Sequence, residues 1–450
     1  MDRDKTIIIE TIKNEENFME AWKEGDGKNP DLVIGRTYDA CQAFMKKWMD
    51  GIKEHAARGE GPWIINNYVP FEILQAMDIP FLELAGPIEK YFEQIADSLP
   101  DAGPMPEERV RFGETLKTIG KCGECMLEGY PELDWFPKLG GMILRQYECT
   151  MNTNYATHLA RLYKKPLYLI EHTNTMPFYP RYPEWWKVAE DDWESLLDKD
   201  EVDHYVEQLK GMIRFLEITT GKVFRMSKLE EIIKRINETC HYQRKIRDLF
   251  SRTSPLPVGI ADHLEVYSPF QHHGEPGVTE VLKTYYEEIL ERVEKGQCLC
   301  PEEKTRLYWC KGAWYSNVEY YRMFEKSHGA VFAASWYMNL GADAYPRANN
   351  GDPLRTIASR RIFQGNYEGP HWDFHNAQFA GCQGAIMHKN QATWTMCVNW
   401  AELGTMRETY KAYFDRNGIP MLLLDPMAPK QKQYDETARF IEDLQSGRFS

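Results

Sequence analysis

The sequence lacks the features that would make this a membrane or an exported protein. It contains no run of about 18 apolar residues, the length that a transmembrane helix needs. The opening residues Met1–Lys5 are mostly charged and do not lead into the apolar core of a signal peptide. We therefore expect a cytoplasmic protein with no membrane-spanning segment.

Positive charge and nucleotide-binding motifs are also scarce. Lys and Arg number 54 against 68 Asp and Glu, giving a formal net charge of −14, which disfavours binding to nucleic acid or to an anionic membrane surface. The patterns G-x-x-x-x-G-K-[ST], G-x-G-x-x-G after a strand, and G-x-S-x-G are all absent. We therefore expect no acyl hydrolysis by this chain, and any ATP that its reaction consumes is hydrolysed by another protein.

What the chain does contain is typical of a multidomain α/β protein. Its 450 residues are 43% hydrophobic and suffice for two or three domains with separate cores. The patterning predicts two doubly wound, Rossmann-like parallel-sheet modules that flank a helical middle. The expected divisions are a helical lead-in, an N-terminal α/β domain, a helical segment and a C-terminal α/β domain, at 1–60, 61–198, 199–305 and 306–450.

Short apolar runs with turn residues between them carry this prediction. Strands buried on both faces read as such continuous runs. In the helical segment two apolar stripes at helical spacing are separated by Gly221, which predicts two helices. Ligands of open parallel sheets bind beyond the carboxyl ends of the strands, so chemistry is expected there. The expected strands are 63–69, 79–84, 166–170, 329–334, 380–388 and 418–425.

Ten cysteines are the main candidates for that chemistry, because in a cytoplasmic chain they are more often free, catalytic or metal-bound than disulfide-paired. Cys149 follows an apolar stretch and begins a predicted helix, where backbone N–H groups favour a thiolate. Cys122 and Cys125 have C-x-x-C spacing, which indicates a metal, cluster or redox site. Cys397 follows a predicted strand of the second module and is a further candidate ligand.

The other candidates have weaker signals. Cys382, inside an apolar run, is expected to be a core residue, and the group at Cys298, Cys300 and Cys310 is expected to be structural. Glu72 follows a strand and begins a helix, which suits either a functional carboxylate or a charge that complements the helix dipole. The stretch 371–375 (HWDFH) is interpreted as an aromatic-lined loop rather than a metal site.

Several segments resemble the family of 2-hydroxyacyl-CoA dehydratases and ATP-dependent benzoyl-CoA reductases, and within it the larger, alpha-type subunits. They follow the same order along the chain from residue 60 to its end. The matching segments are Tyr68–Pro80, the Cys149 helix with the strand Lys165–Ile170, the helix pair Val206–Leu229, and the closing Gly418–Pro420 and Gln433–Arg439.

The resemblance implies a [4Fe–4S] cluster held by three cysteines with one iron position open. Cys149 matches the middle ligand, and Cys122 or Cys125 the first, with Cys125 preferred. The family's H-x-N-R-S-C segment is similar to 388–393, but Thr393 stands where cysteine is expected and Cys397 comes four positions later. Either Cys397 takes over in a longer loop, or the cluster is altered.

The resemblance also implies an oxygen-sensitive reaction of anaerobic metabolism. A separate ATP-hydrolysing activator would deliver a low-potential electron, and a second homologous subunit would complete a heterodimer. The electron would reduce an acyl-CoA substrate to a ketyl-type radical, leading to 2-hydroxyacyl-CoA dehydration or benzoyl-CoA-type ring reduction. Separately, and from its position after a predicted strand alone, Glu72 is expected to act as the acid or base of the pocket.

Two other hypotheses also fit the sequence. The chain could be a non-catalytic partner subunit of such a complex, which the threonine at position 393 favours. It could also be a zinc-dependent acyl-CoA or methyl-transfer enzyme on a similar scaffold. The metal content of the purified protein distinguishes the three hypotheses, because only the catalytic cluster-bearing subunit requires iron and sulfide.

Overall fold

A computed structural model shows how the chain folds around two parallel sheets. It describes residues 32–66, 69–83, 138–146, 157, 160, 161, 164–171, 185–267, 269, 272–310, 315–335, 347–349, 351–365, 370–388, 400–425 and 428–449. The predicted helix that begins at Cys149 lies largely outside these residues.

The first sheet has four parallel strands in the order β2-β1-β3-β4. Its central strands are almost completely buried, which explains why their sequences are continuous apolar runs. Ile65 at the end of β1 pairs with Ile143 of β3, so β3 runs in the same direction and continues to Gln146 beyond the end of β1. The strands are β1 (Trp63–Ile65), β2 (Phe81–Glu83), β3 (Gly141–Gln146) and β4 (Leu167–Glu171).

The second sheet repeats this arrangement with the order β6-β5-β7-β8, again entirely parallel. Two neighbouring strands of the same direction require a crossover, which helices supply here. The prediction of two doubly wound parallel modules with helices between them is confirmed. The strands are β5 (Thr305–Trp309), β6 (Ala330–Ser335), β7 (Gly384–His388) and β8 (Met421–Leu424).

Helices surround and connect the two sheets. Two short 3-10 segments accompany them, at Trp193–Leu196 and Tyr315–Arg322. The described helices are α1 (Gly35–Ala57), α2 (Phe71–Ala76), α3 (Trp185–Asp192), α4 (Lys199–Thr220), α5 (Met226–Arg252), α6 (Ile260–Leu264), α7 (Val278–Glu294), α8 (Met323–His328), α9 (Pro353–Gly365), α10 (Pro370–Phe379), α11 (Trp400–Arg416) and α12 (Lys430–Gln445).

The predicted helix pair around Gly221 is confirmed as α4 and α5. The Asp198 side chain caps α4 by accepting from the backbone N–H groups of Asp200 and Glu201. At the other end Gly221 has φ of 71°, a left-handed conformation that glycine adopts without a Cβ clash and that ends the helix. The apolar faces of both helices pack into one core with the first sheet.

In the sequence, the helix α9 comes between β6 and β7 of the second sheet, but in the fold it packs on the first module. Its apolar side chains Ile357, Ile362 and Phe363 are buried in the same core as β1, α4 and α5. Arg355 on its outer side pairs with Asp203 and Glu194 near the start of α4. This packing brings a helix from the C-terminal half of the chain to the edge of the first sheet.

Two local predictions need correction. The stretch 371–375 is helical, within α10, rather than a loop, because Pro370 at the first helical position is compatible with a helix start. Buried Asp373 on this helix accepts a hydrogen bond of 2.7 Å from the Tyr308 hydroxyl of β5. Cys382 is buried as expected, but it lies in the turn before β7 rather than in the strand.

The start of α1 is capped by a side chain that is distant in sequence. The Glu288 carboxylate of α7 accepts hydrogen bonds from the backbone N–H of Thr37 at 2.8 Å, the Thr37 hydroxyl at 2.6 Å and the N–H of Arg36 at 3.2 Å. The helix has no side-chain cap of its own at Ile34. Glu288 therefore satisfies N–H groups that a helix start leaves open and complements the helix dipole.

We expect Glu288→Ala to destabilise the docking of α1 by about 2–3 kcal/mol, because it leaves buried donors without an acceptor. Hydrogen exchange of residues 35–40, measured by mass spectrometry, would report this loss. Glu291→Ala on the same helix is the matched control, since Glu291 pairs with Arg36 and Lys295 at the surface. Equal exchange in both variants would show that Glu288 does not cap the helix.

Candidate active site

The predicted cysteine ligands lie outside the described residues. Cys122, Cys125, Cys149, Thr393 and Cys397 therefore stay predictions. In sequence, Cys149 comes three positions after Gln146, the last residue of β3, and so follows the carboxyl end of a central strand. Within the described part of the chain no group of three or more His, Cys, Asp or Glu side chains could hold a metal ion.

Glu72 is the predicted site residue that the structure describes. It lies in the first turn of α2, directly after β1, and its residue is 1% exposed. Its Oε2 forms an ion pair of 2.5 Å with Nη2 of Arg361 from α9, whose side chain is equally buried. The Arg361 guanidinium also lies over the Phe71 ring, 4.7 Å from its centroid, a favourable cation–π contact.

A second arginine connects this pair to the ends of the strands. Arg145 of β3 donates from Nη2 to the backbone carbonyl of Arg361 at 3.1 Å. Asn66, just after β1, accepts from the Arg145 N–H at 2.8 Å and donates to the Arg145 carbonyl at 3.0 Å. The Asn66 amide thus continues the ladder between β1 and β3 beyond the last strand residue. We call Asn66, Glu72, Arg145 and Arg361 the Glu72 site.

Two buried polar groups border the Glu72 site. Burial raises the pKa of Tyr205, on α4, whose neutral hydroxyl has no hydrogen-bond partner among the described residues. Burial, with the charges of Arg360 and Arg361, holds the pKa of His273 well below its ordinary value. Its Nε2 also has no partner within the described chain. Such polar atoms fit a polar ligand that would supply the missing hydrogen bonds.

The carboxyl edge of the second sheet has one buried imidazole. His388 ends β7, is 3% exposed, and packs edge-on against Trp309 with ring centroids 4.9 Å apart. Gln433 donates from Nε2 to the Ala428 carbonyl, so its Oε1 faces the His388 Nε2 at 3.1 Å. His388 is therefore the tautomer with the proton on Nε2. Burial lowers the pKa of His388 to about 4, which keeps the ring neutral.

Sequence reasoning did not identify Arg145, Arg361 or His388 as site residues. Arg145 lies within the mostly apolar strand GMILRQ and His388 ends the strand GAIMH, whereas Arg361 lies in a helix of mixed polarity. A charged side chain at a buried position is the one signal that could have found the arginines, because such a charge is costly unless it is paired. Their hydrogen-bond and ion-pair partners come from distant parts of the chain, so no local sequence pattern predicts them.

The donor chemistry of the predicted ligands suits the cofactor that the resemblance implies. Three cysteine thiolates are the usual ligands of a [4Fe–4S] cluster. The buried guanidinium groups of Arg145 and Arg361 lie at the carboxyl edge from which the chain continues to Cys149. Positive charge favours the thiolate form of any cysteine that lies close to it. The described residues are therefore compatible with a cluster held by the predicted cysteines.

Two doubly wound modules with buried charged groups at a strand-end edge make up an α/β protein with a candidate site where such sheets bind ligands. The chain belongs to the family described as 2-hydroxyglutaryl-CoA dehydratase, D-component, whose family model matches residues 66–427. It is accordingly a dehydratase-type enzyme subunit. A search of curated proteins found no significant match. None of the helices in the described ranges has the length and apolar character to cross a membrane.

Proposed function

We propose that the chain is the cluster-bearing subunit of an enzyme that dehydrates a 2-hydroxyacyl-CoA. The family match over residues 66–427 is the observation that carries this proposal. The proposed ligands of a [4Fe–4S] cluster are Cys125, Cys149 and Cys397. The proposed partners are a second homologous subunit and a separate ATP-hydrolysing activator, since this sequence has no phosphate-binding loop of its own.

The cluster, when bound, would accept one electron from the activator and polarise the thioester oxygen through its open iron position. The chain's own residues would bind and orient the acyl group at the carboxyl edge of the first sheet. Glu72 would move a proton to or from the substrate at its carboxylate. Its burial excludes bulk water from that step, which protects a radical from side reactions.

Formation of a ketyl-type radical on the substrate explains why the site needs both an electron donor and a proton-transfer group. Reduction of a thioester makes its carbonyl oxygen more basic and the neighbouring hydroxyl a better leaving group. The radical would expel hydroxide from the 2-carbon, and Glu72 would accept the proton that leaves the adjacent carbon, so that water is lost in total. Return of the electron to the cluster would then leave the unsaturated acyl-CoA. Proton transfer by a positioned side chain typically contributes about 10²–10⁴-fold to the rate.

Anaerobic purification followed by iron and sulfide quantitation tests this function. We expect about four iron and four sulfide per chain, together with the broad visible absorption of thiolate-bound iron. The variant Cys149→Ser is expected to lose most of both. Cys298→Ser is the matched control, because Cys298 is a partly buried cysteine in a loop between α7 and β5.

The outcomes separate the competing functions. An intact wild-type chain without iron would contradict the catalytic assignment and favour the non-catalytic partner subunit. Zinc in place of iron would favour a zinc-dependent enzyme. Unchanged iron in Cys149→Ser would remove that cysteine from the ligand set. The double variant Thr393→Cys/Cys397→Ser, if it keeps its iron, would show that either position can supply the third ligand.

A further inference from the structure

The contact between Glu72 and Arg361 joins residues 289 positions apart in the sequence. Glu72 belongs to the first module, whereas Arg361 comes from the segment between β6 and β7 of the second. Both side chains are about 2% exposed, so the pair is screened very little by solvent. The charge partner of the proposed proton-transfer group is therefore supplied by the other half of the chain.

Arg361 is held from three directions. Its helix is anchored by Ile357, Ile362 and Phe363 in the first core, its guanidinium lies on Phe71, and its backbone carbonyl accepts from Arg145. An arginine with so many fixed contacts cannot follow a moving carboxylate; the carboxylate must settle against the arginine. The planar guanidinium then determines where the Glu72 carboxylate lies and how it is turned.

We propose that Arg361 is a positioning residue that sets the orientation of Glu72 for proton transfer. This rests on the proposed function, in which Glu72 is the acid or base. The ion pair engages Oε2, and a carboxylate has a second oxygen through which it can exchange a proton with the substrate. Fixing one oxygen therefore orients the other, and misplacement of a reacting group by about 1 Å costs about 10²-fold in rate.

Because α9 lies between β6 and β7 in the sequence, the ion pair also couples the two modules. A shift of α9 relative to α2 would move the carboxylate without any change in the first sheet. The two halves of the chain must therefore be correctly docked before Glu72 is competent. This coupling follows from the ion pair and from the packing of α9 on the first core.

The test uses the full chain with its partner subunit and activator, and 2-hydroxyglutaryl-CoA as the probe. We expect Arg361→Met to lower kcat about 10²-fold with little change in KM, because the substrate still binds while the proton-transfer group is misplaced. Arg361→Lys, which keeps the charge, is expected to recover about half of this loss on a logarithmic scale. Arg355→Met on the same helix is the control, and it should leave kcat and KM near wild-type values.

A KM increase at unchanged kcat, or an equal loss of kcat in Arg355→Met, would overturn the inference. If Arg361→Met does not fold, Arg361→Lys decides, and full wild-type kcat in the folded Lys variant counts against a positioning role. The thermal midpoints of Glu72→Gln, Arg361→Lys and the double variant give a readout that needs no substrate. Additive midpoint shifts would show that the two side chains are not coupled.

These results are separable from failure of the proposed function. A wild-type holoenzyme that contains iron but turns over neither 2-hydroxyglutaryl-CoA nor other 2-hydroxyacyl-CoA thioesters contradicts the proposed substrate class, whatever the midpoints show. Turnover by the wild type with unchanged kcat in Arg361→Met contradicts the inference alone. Turnover together with a kcat loss confined to the Arg361 variants supports both.

Discussion

Alanine at Gly61 is expected to destabilise the first sheet by more than about 3 kcal/mol, beyond the usual cost of overpacking a core. A Cβ at this position would overlap the Lys138 carbonyl oxygen and lie 2.9 Å from the backbone N of Gly140. Both obstacles are backbone atoms, which cannot rotate away as a side chain can. To relieve the overlap, the backbone just before β1 must move away from the backbone just before β3.

That separation would break a hydrogen bond on which the pairing of the strands depends. The Gly140 N–H donates to the Pro62 carbonyl at 2.9 Å, immediately before β1 and β3 begin to pair. Their register, with Trp63 opposite Gly141, starts at this point. If β1 and β3 lost their alignment at this end, the carboxyl end of the pair would also be disturbed. The hydrogen bonds between Asn66 and Arg145 there depend on the same alignment.

Thermal unfolding followed by circular dichroism measures the effect, with Gly51→Ala as the control. Gly51 lies in the middle of α1, nothing lies within 4 Å of its would-be Cβ, and alanine there favours the helix by about 1 kcal/mol. We therefore expect Gly61→Ala to lower the unfolding midpoint strongly and Gly51→Ala to leave it unchanged or raise it. A Gly61→Ala protein as stable as wild type would show that the two strand entries can separate without cost.

The architecture could be predicted because its signals are local. Buried parallel strands need apolar residues on both faces, and helices of ordinary length need an apolar stripe and end residues such as Asp198 and Gly221. These requirements concern residues that are close together in the sequence, so composition and hydrophobic periodicity are enough to predict the elements. The carboxyl-edge location of Glu72 followed from the same reasoning, since every strand of a parallel sheet ends at one edge.

The partners in the site could not be predicted, because they depend on how distant elements pack. Nothing near Glu72 in sequence indicates Arg361, which reaches it only because α9 packs on the first core. Likewise, the cap of α1 comes from Glu288, and no residue of α1 itself shows this. The prediction for residues 371–375 was wrong for a different reason. Their aromatic residues suggested an aromatic-lined loop, whereas contacts such as Tyr308–Asp373 stabilise the segment as a helix.

Acid is expected to destabilise the second module through His388. Burial lowers the pKa of His388 from its ordinary 6.5 to about 4, so the folded protein keeps the ring neutral where the unfolded chain protonates it. Between these two pH values the unfolded state binds more protons, and stability therefore falls as the pH falls. The full difference corresponds to about 3 kcal/mol, all of it present above pH 6.5 and lost by about pH 4.

The structure explains why the ring resists protonation. Burial is the cause, and Trp309 packs edge-on against the ring, whereas the hydrogen bond from Nε2 to the Gln433 carbonyl oxygen favours the protonated form. The charge of Asp425 opposes the shift, but less than burial favours it. Protonation at Nδ1 would place a cation in this buried contact, which lowers the stability of the folded state.

Denaturant unfolding at pH 7, 6, 5 and 4 would measure the dependence, with His388→Gln and His204→Gln compared with wild type. Glutamine at position 388 can still hydrogen-bond to Gln433 but does not titrate, so we expect a lower stability at pH 7 and a shallower loss between pH 6.5 and 4. His204 is half-exposed on α4, and its replacement should preserve the wild-type slope. Parallel slopes for all three proteins would mean that other buried groups, such as His273, cause the acid sensitivity, and that the His388 ring is protonated without cost.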